Sequence, residues 1–400
     1  MKTLRLFPRS SVTRRAREAN ATDSPGARLM ARLEELAGGP PPDAIHTRVR
    51  ELVAGRRVLV TGAGGSIGSE IVRQLSCFEV SAVVMLDGDD TAVHDISLEI
   101  DGNGLLESPH AVLADIRDAQ AVDRVFEMHR PEIVIHAAAL KHLPLLERFP
   151  HEAWATNVHG TLNVLAAAQR YDVERFVNIS TDKAASPCSV LGRSKRITEA
   201  LCAQAAVATC SPYVSVRFGN VLGSRGSVVP TFIRQAMRGG PLSVTHPNAT
   251  RFLMTIPQAT TLALGAAAVG EPQDILVLDM GEPVRILDIA RAVSDEFSPD
   301  CPIVFTGLRP GEKLHEELHA PDTRLEPTVV PGVRRMTSAT LDPSALPGPD
   351  AGSEAIAAFL TPPDTARPAH LAMLYEDGPE EQLVGASAPH SGRPREGAVG

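Results

Sequence analysis

Residues 58–68, VLVTGAGGSIG, read as a short apolar strand that runs through a glycine-rich turn into a helix, and few folds accept that order. Gly62, Gly65 and Gly68 stand in the spacing GxxGxxG, with Ser66 and Ile67 in the same turn and a helix expected over 69–75. Glycine permits a tight turn and a close approach of backbone to ligand, while the helix start offers free N–H groups and a positive dipole end to a pyrophosphate. Asp87 ends the next apolar run, SAVVMLD, where a carboxylate accepts hydrogen bonds from an adenosine ribose. A dinucleotide site follows from this context. The acid at Asp87 repels a 2′-phosphate and favours NAD, although Arg73 nearby leaves NADP open.

The rest of the first half repeats the pattern. The runs RRVLVTG, SAVVMLD, HAVLAD, PEIVIHAAA, ERFVNIS and YVSVRFG recur between helix-like stretches, as a parallel sheet with helices on both faces requires. Beyond Phe218, glycine-, proline- and arginine-containing loops sit among apolar helices at 259–269 and 286–297. The expected fold is α/β, a Rossmann-type doubly wound parallel sheet with a smaller C-terminal substrate lobe. Four segments are expected: a basic leader and lead-in at 1–55, a NAD(P)-binding domain at 56–218, a substrate lobe at 219–342 with some chain returning to the sheet, and a largely disordered tail at 343–400. The tail is rich in Pro, Gly, Ala and Ser, which cannot repay ordering entropy by burial.

Composition removes several alternatives. Hydrophobic residues make up 43% of the chain, enough for a large core, yet no apolar run is long enough to span a bilayer. The start lacks the apolar stretch of a secretory signal, so the expectation is a cytoplasmic protein with no integral membrane segment. The five cysteines show no metal-ligand or disulfide spacing, and no metal is expected. A net charge of −9 with mixed signs speaks against nucleic acid.

Ligands of open α/β sheets bind at the carboxyl ends of strands. Asp115 and Ile116 follow the third run and Ala137 and Ala138 the fourth; Asp115 reads equally as a helix N-cap or an adenine contact. Lys141 and His142 come just after, either over the reacting centre or as a solvated pair. At the end of the fifth strand stands Ser180-Thr181-Asp182-Lys183, and LGRSK, ending at Lys195, opens the next helix.

Taken together, TGAGGSIGSE, HAAALKHLPLLE, NVHGTLNVL, STDKA, LGRSK, RFGNVLGSRGSVVP, TRFLMTIP and LRPGEKLHEEL resemble the polysaccharide-biosynthesis branch of the extended short-chain dehydrogenases, over roughly 56–318. That branch includes UDP-N-acetylglucosamine 4,6-dehydratases, and its members often carry an N-terminal membrane region, so this chain is similar to the soluble forms. The resemblance implies a tightly bound, recycled NAD(P), with NAD favoured, a UDP-sugar substrate and, by fold analogy, a homo-oligomer. Short-chain dehydrogenases usually place Tyr four residues before the active-site Lys; here that position is Leu191. In one sub-branch an apolar residue replaces Tyr, and the Thr-Asp-Lys segment takes over the chemistry. Carried over, Lys195 bonds the nicotinamide ribose, Thr181 meets the sugar 4-hydroxyl, and Asp182 and Lys183 form an acid–base pair, with burial expected to lower the Lys183 pKa. The family pattern also carries Lys141 and His142 at the sugar. Asn220, Arg251, Arg309 and Glu312 fall to the diphosphate and uridine ribose, and guanidinium forks suit phosphate oxygens.

Three other outcomes share these residues. A 5,6-dehydratase uses nearly the same set, an epimerase normally needs the missing tyrosine, and a non-catalytic NAD(P) sensor or scaffold would explain its loss.

Overall fold

In a computed structural model of the chain, residues 24–36, 44–320 and 323–360 are described. One sheet organises the molecule. Its strands are β1 (Arg57–Thr61), β2 (Ala82–Asp87), β3 (Ala111–Leu113), β4 (Ile133–His136), β5 (Arg175–Ile179), β6 (Tyr213–Arg217), β7 (Asp274–Leu278), β8 (Glu326–Pro327) and β9 (Val333–Thr337). The order is β8-β9-β7-β6-β5-β4-β1-β2-β3, parallel from β3 through β7 and closed at one edge by the antiparallel β9 and β8. The six runs read from sequence are β1 to β6. The chain reverses its build direction between β1 and β4, whose register pairs Thr61 with His136, and that crevice is where such sheets bind ligands.

Alternation along β1 explains why the sheet is covered twice. Val58 and Val60 enter one buried cluster with Ile71, Val72 and Leu75 of the Ser66–Leu75 helix, whereas Leu59 enters another with Val122 and Phe126 of the Ala119–His129 helix. A third cluster, built on Phe232, Val244 and Ile289, is the core of the smaller lobe. Among the described residues, no helix is long and apolar enough to cross a membrane.

Several boundaries differ from expectation. The helix after β1 starts at Ser66, inside the glycine motif, because Gly65 is extended and serves as its N-cap. The lead-in is partly core: Leu29 and Leu33 of the Pro25–Leu36 helix join the lobe cluster, and Ile45, Val49 and Val53 pack under the sheet. Residues 259–269 belong to the Ile256–Val269 helix, whose Ala259, Leu262 and Ala263 pack with the β1 cluster rather than with the lobe. The expected disordered tail also begins too early. Ser353–Leu360 is a helix that buries Ile356 and Leu360, and Gly348 accepts a hydrogen bond from the Trp154 indole, so apolar burial outweighs ordering cost there. Residues 1–23 and 361–400 lie outside the described residues.

Candidate active site

The glycine turn forms a cradle that any side chain would fill. Gly62 has φ +69°, and a Cβ there would lie 2.7 Å from the Ala138 backbone; a Cβ on Gly68 would collide with the Gly62 carbonyl. The Gly64 N–H donates to Asp87 Oδ2 (2.9 Å) and the Asp89 N–H to Oδ1 (3.1 Å), which fixes the carboxylate at the β2 end with acceptor capacity left on both oxygens. Arg73 is not free for a 2′-phosphate: it forks onto Glu99 and pairs with Glu70. Behind the turn, buried His136 sits between the hydroxyls of Thr61 (2.7 Å) and Thr161 (2.9 Å), and burial, helped by Lys195, lowers its pKa to about 3. Asp115 is not the N-cap of the next helix. Its carboxylate binds the Arg117 guanidinium, and Asp118 caps the next helix. Ile116 is buried against Gly160, and its carbonyl accepts from Asn163.

The residues expected to react are held by the turn after β5 and the helix Val190–Thr209, which Ser189 caps. Ser180 points back into the protein and donates to Glu199 (2.7 Å), which also grips buried Arg217 at 2.6 and 2.5 Å. Thr181 and Lys183 face the cleft. The Asp182 carboxylate does not: it is fully buried, Oδ1 accepts from Thr181 Oγ1 (2.8 Å), the Lys183 N–H (2.9 Å) and Lys183 Nζ (3.0 Å), and Oδ2 has no partner. Leu191 and Lys195, one helical turn apart, line the same wall. Burial pushes Lys195 down to about 8 against the opposing pull of Glu199. Asn157, in a π-helical stretch (Ala153–Gly160), ties the Leu140 backbone to Ser194 and so holds the 140–142 loop against this helix.

The lobe closes the other wall. The Arg225 N–H donates to Ser66 Oγ (3.0 Å), and Gly226, φ +70°, leaves room for the His142 ring that a Cβ would strike. Two adjoining cavities result. One, about 290 Å³, is lined by Ile67, Ala137, Thr181, Leu191 and Lys195; the other, about 250 Å³, by Arg251, Arg309, Glu312 and Glu316. Lys141, His142, Lys183 and Asn220 line both. Burial, then Arg225, lowers Lys141. Arg251 pairs with Glu312 (3.1 Å), and Arg309 with Glu312 (3.6 Å).

Lys183 departs from the sequence expectation. Burial alone would lower its pKa, but Asp182 and then Glu316 (3.8 Å) outweigh it, and the net direction is up. Glu316 is the residue that sequence reasoning missed. It lies beside Glu317 in LHEEL, and no periodicity distinguishes which of the two faces inward. No described tyrosine replaces Leu191: the Tyr171 hydroxyl bonds Asp123, the Tyr213 hydroxyl bonds the Val173 carbonyl, and Tyr375 lies outside the described residues.

Residues 58–338, the span that builds both walls, match the family described as polysaccharide biosynthesis protein. The chain belongs to that family. It is 44% identical over 289 residues to the probable polysaccharide biosynthesis protein EpsC of Bacillus subtilis, covering 71% of this chain and 48% of that one. The family member described here therefore spans about half the length of such curated relatives. Among solved structures it is similar to Pen from Bacillus thuringiensis, with TM-score 0.65 and 29% identity over 72% of this chain and 91% of that one. It is also similar to a UDP-glucose 4-epimerase from Thermus thermophilus in complex with NAD, with TM-score 0.57 and 25% identity over 66% and 90%. This family member is thus related to UDP-sugar epimerases and shares their Rossmann-type sheet.

Proposed function

We propose that this family member is an NAD-dependent 4,6-dehydratase that converts UDP-N-acetylglucosamine, or a close UDP-sugar, to a 4-keto-6-deoxy sugar. The observation that carries the reading is the exchange at one wall of the cleft. Where a proton-carrying tyrosine would precede Lys195 stands buried Leu191, and Lys183, paired with Asp182 at 3.0 Å, lines the same cavity. An epimerase needs its proton carrier at the C4 oxygen. A dehydratase also needs one beside C5 and C6, which Lys183 in the same cavity supplies.

The cradle at Gly62, Gly65, Ser66 and Gly68, with Asp87 at the ribose and Lys195 at the nicotinamide ribose, fits NAD, and the engagement of Arg73 by two acids disfavours NADP. Bound NAD supplies the acceptor for the C4 hydride and its return to C6, so the cofactor is recycled and stays bound. Thr181 bonds the sugar 4-hydroxyl and relays its proton to solvent as C4 is oxidised, and C5 takes a proton from solvent once hydride has reached C6. Once C4 is a ketone, the C5 proton is acidic, and Lys183 handles it together with Asp182. Nζ passes a proton to Asp182 Oδ1, takes the C5 proton, and gives it to the departing C6 oxygen, which leaves as water; the proton on Asp182 then returns to Nζ. The ammonium is restored, in keeping with its raised pKa. Asn220 holds Nζ at 3.2 Å, and Lys141 and His142 flank the sugar. Arg251 and Arg309 bind the diphosphate, and Glu312 the uridine ribose. We place the reaction in the cytoplasm and in a homo-oligomer.

A second reading, 4-epimerisation, is favoured by the likeness to the Thermus enzyme. Incubation with UDP-N-acetylglucosamine in deuterated water, followed by proton NMR and mass spectrometry, separates the two. The expected product is a 4-keto-6-deoxy sugar with deuterium at C5, and Lys183→Ala is expected to slow its formation about 10²–10⁴-fold. Epimerised sugar with no deuterium at C5 would overturn the dehydratase reading.

A further inference from the structure

Between the lysine that carries protons and the arginine that faces the diphosphate stands a carboxylate to which neither role gives a purpose. The backbone puts it there: the Thr250 N–H donates to the Leu314 carbonyl (3.0 Å), Thr250 bridges His315, and Arg251 Nη1 donates to the same Leu314 carbonyl (3.2 Å). Residue 316 is thereby pressed against Arg251 and aimed at the turn after β5. Glu316 Oε1 lies 3.8 Å from Lys183 Nζ and 3.9 Å from Arg251 Nε, and its side chain is 3% exposed.

A carboxylate removed from water in this way must repay a large desolvation cost, and cations on two sides are how it does so. The groups facing it are Lys183 and Asp182 from the turn, Arg251 from the lobe, Lys313 on its own segment and the half-buried thiol of Cys188. Burial pushes Glu316 up, the cations pull it back, and the net direction is up. The effect on Lys183 is the reverse of what burial dictates, as described above. Lys183 thus has two carboxylates, Asp182 behind it and Glu316 beside it, and only Glu316 also reaches the nucleotide side.

We propose that Glu316 is a positioning residue that keeps Lys183 in its ammonium form between turnovers and fixes Nζ relative to Arg251, linking the proton-carrying site to the diphosphate site. This rests on the reading that Lys183 carries the protons of the elimination.

The test reads the amine directly. Trace acetylation with acetic anhydride across a pH series, quantified on the Lys183 peptide by mass spectrometry, is compared for the natural chain, Glu316→Gln and Glu316→Asp. Only the neutral amine reacts, so removing a neighbouring negative charge raises the rate below the transition. Lys183 in Glu316→Gln is expected to label about tenfold faster or more at mildly alkaline pH, with Glu316→Asp in between. Lys141 and Lys195 serve as references and are expected to be unchanged. Equal Lys183 rates in all three proteins would overturn the proposal, as would an equal acceleration of all three lysines, which signals an opened cleft. If Glu316→Gln does not fold, Glu316→Asp alone decides. Absence of turnover with UDP-sugars would defeat the dehydratase reading but not the labelling result.

Discussion

Two charged clusters flank the 180–183 turn, and they are built differently. Behind it, Glu199 and Arg217 are both fully buried, close at 2.5–2.6 Å, and take in the Ser180 hydroxyl. In front of it, Lys183 meets Asp182 at 3.0 Å, Asn220 at 3.2 Å and Glu316 at 3.8 Å, and its side chain keeps 18% of its exposure. The rear cluster has short, forked bonds between fully buried side chains; a pair like that holds the Ser180 end of the turn in one place. The front cluster has longer separations and two cavities against it, which leaves donors and acceptors for a ligand. One half of the turn is anchored, and the other half borders both cavities.

The comparison breaks first if the rear pair does not anchor. Glu199→Gln removes the charge that balances a buried guanidinium and is expected to cost roughly 3–5 kcal/mol in urea unfolding. The double change Glu199→Gln with Arg217→Met is expected to recover much of that loss, because the uncompensated cation is gone. A Glu199→Gln protein as stable as the natural chain would mean that this pair is not what fixes the turn.

How much of this was legible beforehand follows from range. Strand–turn–helix order, the glycine spacing and Asp87 are local patterns, and each fell where expected, because φ preference and alternation act over a few residues. Leu191 and Lys195 could be placed on one helix face by their spacing alone. Glu199 and Arg217 could not be paired, since β6 and the helix meet only when the sheet closes, and 18 residues of chain carry no signal of that. Glu316 needed the lobe as well. The direction of the Lys183 shift was missed for the same reason: burial is readable from an apolar neighbourhood, but the second carboxylate arrives from 133 residues away. The helix at Ser353–Leu360 was hidden by its surroundings, where Pro and Gly dominate composition while Ile356 and Leu360 supply the burial.

The front cluster is sharpened by Arg251. Two of its N–H groups go to the Thr250 and Leu314 carbonyls and one to Glu312, its Nε lies 3.9 Å from Glu316, and the side chain lines the smaller cavity. Arg251→Ala is expected to weaken UDP binding by about 1.5–3 kcal/mol in isothermal titration, the size of a hydrogen bond to a charged group. An unchanged Kd moves the diphosphate off Arg251 and makes Arg309 its chief anchor.

The smallest effect, taken per pH unit, concerns the layer behind the glycine turn, where His136 joins Thr61 of β1 to Thr161. Its folded-state pKa of about 3 lies below the ordinary 6.5, so the unfolded chain binds a proton in that interval and the folded chain does not. Stability from this group is therefore complete above pH 6.5 and declines as the pH falls toward 3. The slope it contributes is about 1.4 kcal/mol for each pH unit within that window. His136→Asn keeps a polar side chain between the two hydroxyls but cannot titrate, so its unfolding free energy is expected to fall less steeply with acid. Other groups titrate in the same range, and the difference in slope between the two proteins isolates the histidine. Parallel curves would show that His136 is protonated in the folded protein, and that the layer behind the glycine turn is as open to protons as the cleft in front of it.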